Sequence, residues 1–574
     1  MPRTFCSDPL NGRPGCGDDS RNSTTSNAIR LLLCPPSRYQ GGPHQEYPNR
    51  DDIILAAFPP GKYETSGSIR ESNGENMNHA VAPTLRPHRR RTMHKKLPVI
   101  IQGGMGVAVS NWRLANAVSS KGQLGVVSGV ALGAILARRL EMGDPGGHMR
   151  RALAAFPVRE AAKGILEKYF IAGGKDPDER FAVKPMAKMN TSRKVQDLIV
   201  AGNFVEVYLA KEGHDNPVGV NFLEKIQVTT LPSLYGAMLA GVDYILMGAG
   251  IPRYIPGVLD RLAEGFDVDL KVDVKGLTDE GDPYIRFSPA DFAKGVVGKL
   301  KRPDFLAIVS SHILARMLAT KSNGEVNGFV VELPVAGGHN APPRKKGEFT
   351  DDGEPIYGER DVPDLQIIAD LGKPFWLAGG YGEPGMVVEA LKSGASGVQV
   401  GTAFAYCDES GFTREIKDEV IEKSRSGTLK VFTDAVASPT GFPFKVIELD
   451  DTLSNERVYE KRTRICDLGY LRHAYQREDA TIGWRCPSEP VDDYVRKGGD
   501  IADTVGRKCL CNSLVANVGL PQIQRSGEIE GILITSGDDA ANVSRFAPEG
   551  STSYSAADVL TYLLSEVENQ GSGD

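Results

Sequence analysis

The residues with the clearest chemical promise close an apolar run. Phe329-Val-Val-Glu332-Leu-Pro-Val-Ala336-Gly337-Gly338-His339 ends in two glycines and one histidine. Glycine lets the backbone present a flat surface close to a ligand, on which a planar ring can lie. An imidazole beside such a surface titrates near neutrality and can take or give a proton. Two later runs, Trp376-Leu-Ala378-Gly379-Gly380 and Gly397-Val398-Gln399-Val400-Gly401-Thr402, also end in glycine. Glycine-ended runs in tandem are the pattern by which backbone N–H groups and a helix start cradle a phosphate. An earlier run, Ile101-Gln102-Gly103-Gly104-Met105-Gly106, has the same form. His312 opens a helix and is expected to cap it or join the core. Four of the eight cysteines fall late in the chain, at Cys466, Cys486, Cys509 and Cys511. They lack the paired C-x2-C spacing of the usual metal sites, so reduced structural thiols are the default reading. Zinc, an iron–sulfur site and a redox-active pair remain the alternatives, and no metal ligands are assigned.

These residues need a frame that gathers the ends of separate runs. From Pro98 onward, short apolar runs alternate with stretches at helical spacing, the mark of βα units on a parallel sheet. Eight strands are expected: 98–102, 124–128, 218–222, 244–247, 305–309, 328–333, 374–378 and 397–400. Helices are expected at 112–120, 234–240, 313–319 and 383–393. The count fits an α/β fold of the (β/α)8 TIM-barrel type, whose reactive groups stand at the C-terminal ends of the strands. No G-x-G-x-x-G opens a helix, which argues against a Rossmann domain. The barrel is assigned to 93–407, with an inserted helical lobe at 143–217. A mostly helical C-terminal extension at 408–574 is expected to pack on it. Residues 1–92 are polar and rich in Ser, Asn, Arg, Pro and Gly, too poor in apolar groups to offset folding entropy. They read as a disordered tail, with Met93 as the expected true start and Arg89–Arg91 as a solvated run.

Composition closes several other routes. Lys and Arg total 67 against 73 for Asp and Glu, so no basic surplus points to nucleic acid. No apolar run approaches the ~20 residues of a membrane helix. A soluble, cytoplasmic protein is expected.

The motifs at 101–106, Val218-Gly219-Val220-Asn221, 336–339, 378–380 and 398–404 occur in this order. Together they resemble the nitronate monooxygenase (2-nitropropane dioxygenase) family of FMN-dependent barrels. They also resemble the related flavin-dependent enoyl-acyl-carrier-protein reductases, including the trans-acting reductases of polyketide and polyunsaturated fatty-acid synthases. The resemblance covers roughly residues 97–407. It implies FMN, with its phosphate against Gly379, Gly380 and the Gln399-Val400-Gly401-Thr402 turn. The ring would lie over Gly103, Gly104, Met105, Gly337 and Gly338, with Asn221 at its polar edge and His339 as the proton-transfer group. The family often has Gln seven residues before that histidine, where this chain has Glu332. A carboxylate there would oppose an anionic reduced flavin. By position Glu332 still joins the cofactor set, although its charge argues that it points elsewhere. Arg344–Asp361 forms a long charged loop, suited to a lid. The leading expectation is oxidation of a nitronate or similar carbanion with O2. The alternatives are NAD(P)H-dependent reduction of an enoyl thioester and a non-catalytic flavin-binding module. The partners implied are a small-molecule or acyl-thioester substrate and O2 or NAD(P)H; a homodimer is compatible with them.

Overall fold

The computed structural model describes residues 97–278 and 281–571. The expected tail at 1–92, the start at Met93 and the Arg89–Arg91 run lie outside these residues. Eight parallel strands close into a barrel: β1 (Ile100–Gln102), β2 (Leu124–Ser128), β3 (Val218–Leu223), β4 (Tyr244–Gly248), β5 (Asp304–Val309), β6 (Gly328–Glu332), β7 (Phe375–Ala378) and β8 (Gly397–Val400). They neighbour one another in chain order, and β1 meets β8 with Ile100 opposite Val398. The expected TIM-barrel fold is therefore correct. Strands covered on both faces read as continuous apolar runs, which is why each was visible in the sequence. Ile101, Val126, Leu246, Leu306, Val330 and Trp376 belong to one buried cluster inside the barrel. Trp376 directs its indole N–H to the Pro98 carbonyl at 2.8 Å, so its only donor is satisfied there.

The outer layer departs from the expected boundaries. Helix α1 (Trp112–Ser120) starts where the Asn111 side chain accepts from the Arg113 and Leu114 amides. After β2 come α2 (Leu132–Glu141), α3 (His148–Ala155), α4 (Arg159–Tyr169) and α5 (Arg193–Ala210). Helix α5 packs against α1 and against α6 (Thr230–Leu239), the position of the barrel's second outer helix. A Cβ on Gly236 would stand 2.2 Å from the Val200 carbonyl, so this crossing of α5 and α6 requires glycine. The inserted lobe thus consists of α2 to α4, not of everything between 143 and 217. Helical spacing alone does not say which helix faces the sheet.

Residues after the barrel share one compact unit with it. The helix directly after β8 is only Thr402–Ala405. The last helix, Ala556–Gly571, packs against the helix Pro384–Lys392 and against α1, taking the place of an eighth outer helix. Its Val559, Leu560 and Leu563 are buried. The extension, expected to be mostly helical, also contains antiparallel strand pairs. Val431–Asp434 pairs with Phe444–Ile447, and His473–Gln476 with Ile482–Arg485. Among the described residues, no helix is long and apolar enough to cross a membrane.

Candidate active site

At the C-terminal ends of the strands lies a cavity of about 1630 Å3, its mouth included. Every expected site residue lines it: Gly103, Gly104, Met105, Asn221, Glu332, Gly337, Gly338, His339, Gly379, Gly380, Gln399, Val400, Gly401 and Thr402.

The turn after β1 is fixed from within. Gly103 N–H donates to the Val400 carbonyl at 2.9 Å. Ser110 Oγ accepts from Met105 N–H and donates to the Gly103 carbonyl, each at 3.0 Å. Asn221, on β3, comes so close that a Cβ on Gly104 would lie 2.5 Å from its Cβ. Its Nδ2 makes one long bond to the Gly104 carbonyl, 3.5 Å. Its Oδ1 is buried with no partner. A buried acceptor left unpaired costs about 1–3 kcal/mol, so a donor in the cavity would complete this site.

The loop after β6 is held on both sides. Asn340 Nδ2 donates to the carbonyls of Pro334 and Ala336 at 3.1 and 2.9 Å. Asn340 N–H reaches the Pro443 carbonyl, and Lys445 N–H the Gly338 carbonyl, at 2.9 and 3.0 Å. These bonds pair the loop with the edge of the extension. His339 consequently packs on Phe444, with ring centroids 4.8 Å apart. Its Nε2 shares a 2.7 Å hydrogen bond with Ser438 Oγ, which in turn meets Thr440 Oγ1 at 2.8 Å. Burial holds the imidazole down at about 4, so it is neutral at neutral pH. Glu332 borders both this cavity and a smaller one lined by Tyr357 and Asp361. Burial pushes its carboxyl up to about 8. At neutral pH it is an uncharged acid, so the expected repulsion does not arise.

At the ends of β7 and β8, Gly379 and Gly380 have φ of +88° and +82°, left-handed values that favour glycine. Thr402 Oγ1 accepts from Gly537 N–H at 3.1 Å. A Cβ on Gly337 would sit 2.6 Å from Gly537 N. The segment Ser536–Gly537 is therefore wedged between the loops that follow β6 and β8. Beside it, Asp539 lines the cavity with its charge met by both terminal nitrogens of Arg545, at 2.9 and 2.8 Å.

The extension thus supplies a second half of the wall, including Phe412, Phe444, Tyr470, Leu471, Leu510 and Leu514. Sequence reasoning missed these residues, because no local pattern marks an apolar side chain that folds back onto a strand end a hundred residues away. Two other expectations change. The charged loop Arg344–Asp361 is folded on itself through Asp361, with Glu354 accepting from Thr433 N–H. None of its residues lines the cavity, so it is no lid in this conformation. His312 neither caps its helix, which Ser311 does, nor joins the core: it is half-buried and accepts the Asp364 amide at 3.1 Å.

Comparison with known proteins agrees with the sequence motifs. Residues 249–447 match the family model described as nitronate monooxygenase, a span that contains His339 and the glycine turns after β7 and β8. A probable nitronate monooxygenase of Staphylococcus saprophyticus is 27% identical over 247 residues, 42% of this chain and 64% of that protein. The chain therefore spans under two thirds of that relative's length. Among solved structures, FabK from Thermotoga maritima is 15% identical with a TM-score of 0.38, covering 83% of this chain and 95% of its own. A nitroalkane oxidase from Streptomyces ansochromogenes is 14% identical with a TM-score of 0.41, covering 83% and 97%.

Proposed function

We propose that this chain, which carries a nitronate monooxygenase-family segment over residues 249–447, is an FMN-dependent oxidoreductase that oxidises a nitronate or similar carbanion with O2. The observation that carries the flavin reading is the buried, unpartnered Asn221 Oδ1 at the floor of a glycine-lined cavity. It asks for a donor at the edge of a flat ligand, and the glycines leave room for one.

In this reading Gly103, Gly104, Met105, Gly337 and Gly338 support the ring, and Asn221 meets its polar edge. Gly379, Gly380 and Gln399–Thr402 take the single phosphate. Bound there, the flavin supplies reversible transfer of hydride or single electrons. Glu332, an uncharged acid at neutral pH, can donate a hydrogen bond without opposing negative charge on a ligand. His339 holds a neutral imidazole in the wall, with Ser438 and Thr440 hydroxyls behind Nε2. A base held near 4 abstracts a proton only weakly, because general bases work best near the operating pH. The substrate best matched to it arrives already deprotonated, as a nitronate does.

One observation favours a second reading. The extension adds Phe412, Phe444, Leu471, Leu510 and Leu514 to the wall. These side chains carry the apolar wall of the cavity well beyond the glycine turns. Such a chamber suits flavin together with a bulky acyl chain, and so the NAD(P)H-dependent reduction of an enoyl thioester.

Anaerobic mixing of the flavin-loaded protein separates these. Bleaching by a nitronate alone supports the first reading. Bleaching by NAD(P)H, reversed by an enoyl thioester, supports the second. A flavin bound tightly and inert to all three would sink both and leave a binding module. Release of FAD instead of FMN would overturn the single-phosphate assignment.

A further inference from the structure

Among the described residues, only Glu332 lines both the large cavity and the small one beside it. The small cavity lies between the loop after β6 and the charged loop Arg344–Asp361. Its walls include Ser310 at the end of β5, Asn340 after β6, and Arg344, Tyr357 and Asp361. It has room for about one water. Arg344 is exposed, so the outer side of this cavity meets solvent. The charged loop, which is no lid, thus forms the outer wall of a second space behind Glu332.

A water in that space finds the partners it needs. Asn340 is buried, and its Oδ1 has no hydrogen-bond partner. Its Nδ2 is committed to the Pro334 and Ala336 carbonyls, which fixes the amide in place. The Tyr357 hydroxyl donates to the Ala341 carbonyl at 3.1 Å and can still accept. The Glu332 carboxyl makes no hydrogen bond or ion pair among the described residues. Buried waters typically make about three hydrogen bonds to groups left unpaired in this way.

The oxidation read above, on which this inference rests, needs a proton inside the large cavity. Dioxygen that takes electrons from a carbanion becomes a basic oxygen anion, and its onward reaction requires protonation. His339 is neutral at neutral pH and has no acidic proton to give. Substrate in the mouth displaces bulk water there, so the proton must come through the wall. We propose that Glu332 is the proton donor of the candidate active site, reprotonated through a water held between Glu332, Asn340 and Tyr357. In the step, the carboxyl O–H bond breaks and an O–H bond forms on the reduced oxygen. Only the proton moves from Glu332, since the electrons come from the carbanion. The carboxylate left behind takes its next proton from solvent by way of that water. Burial keeps the carboxyl protonated up to about pH 8, so the donor is loaded at neutral pH.

Two variants separate the donor from its path. Glu332→Gln keeps the shape and removes the proton, whereas Ser310→Leu leaves Glu332 in place and fills the small cavity. With a pre-formed nitronate and rates taken per bound flavin, Glu332→Gln should be slower by ~10²–10⁴-fold, the worth of a well-matched general acid. Ser310→Leu should be slower as well. The parental rate should fall as pH rises through about 8, where the donor loses its proton, and Glu332→Gln should show no such fall. The charged or titratable groups around Glu332 are His339, Tyr357, Asp361, Arg344 and Asp538, the last paired with Lys445. His339 near 4 and Tyr357 at about 12 do not titrate between pH 6 and 9. Two readouts need no turnover. A crystal structure of the parent should show a water about 2.5–3.0 Å from both Asn340 Oδ1 and the Glu332 carboxyl, missing from Ser310→Leu. The infrared difference between parent and Glu332→Gln at pH 7 should show an uncharged carboxyl. Should Ser310→Leu not fold, the parental water and the Glu332→Gln profile still decide. A parent inert to nitronates would sink the oxidation reading and the donor role with it. With an active parent, a Glu332→Gln or Ser310→Leu rate equal to the parent's, a dry small cavity, or a carboxylate band at pH 7 would overturn this proposal alone.

Discussion

Glu332→Gln isolates the burial of one carboxyl. The change keeps the shape of the side chain and removes its titration. Burial raises the folded-state carboxyl from 4.5 to about 8. Below pH 4.5 both folded and unfolded chains carry the proton, and the group costs nothing. As pH rises above 4.5 the unfolded chain ionises while the folded one does not, so stability falls until about pH 8 and then levels. At about 1.36 kcal/mol per unit, 3.5 units set a ceiling of about 5 kcal/mol. The side chain borders an open cavity, and water there screens the effect, so about 2–3 kcal/mol is expected. Urea unfolding of both proteins from pH 4.5 to 8.5 reads this directly, since every other titrating group cancels in the difference. The Gln variant should match the parent near pH 4.5 and exceed it progressively toward pH 8. A difference that stays constant across that range, or one that favours the parent as pH rises, refutes the buried neutral acid.

Other outcomes follow from the same geometry. His339→Gln should slow a neutral nitroalkane by less than the ~10²–10⁴-fold of a well-matched general base, because its imidazole is held near 4, while leaving a pre-formed nitronate near the parental rate; equal losses on both would make His339 a binding or structural group. In the parent, the rate on the neutral nitroalkane should be flat from pH 6 to 8, because an imidazole held near 4 is already deprotonated throughout; a rise through pH 6.5 in steady-state assays counts against that. Gly401→Val should lower the flavin content of purified protein, since its Cβ starts 3.4 Å from Met105 Sδ and the valine branches must enter the cavity; full flavin retention would show the β8 turn is misassigned. Leu563→Ala should cost about 2–5 kcal/mol in urea unfolding, the price of a cavity in a packed core; a loss under about 0.5 kcal/mol would mean the last helix does not complete the barrel.

The eight strands were legible because a parallel strand buried on both faces announces itself locally, as a short apolar run with glycine at its end. The same locality made the first half of the cavity readable: in a barrel, position at a strand's C-terminal end is enough to place Gly103, Asn221, His339 or Gly401. It fails for the second half. Phe444 and Gly537 reach the cavity only through pairing with the loop after β6 and insertion against Thr402, contacts 99 and more positions apart that leave no periodic trace. The outer layer shows a related limit. Helix α5 and the helix Ala556–Gly571 look like any amphipathic segment, and only their neighbours reveal that they fill ring positions rather than decorate them. Glu332 marks where residue type misleads. Its carboxyl suggested charge, and burial changes the protonation state first. A sequence names the group, but its environment decides which form of the group is present, and that form is what the candidate chemistry uses.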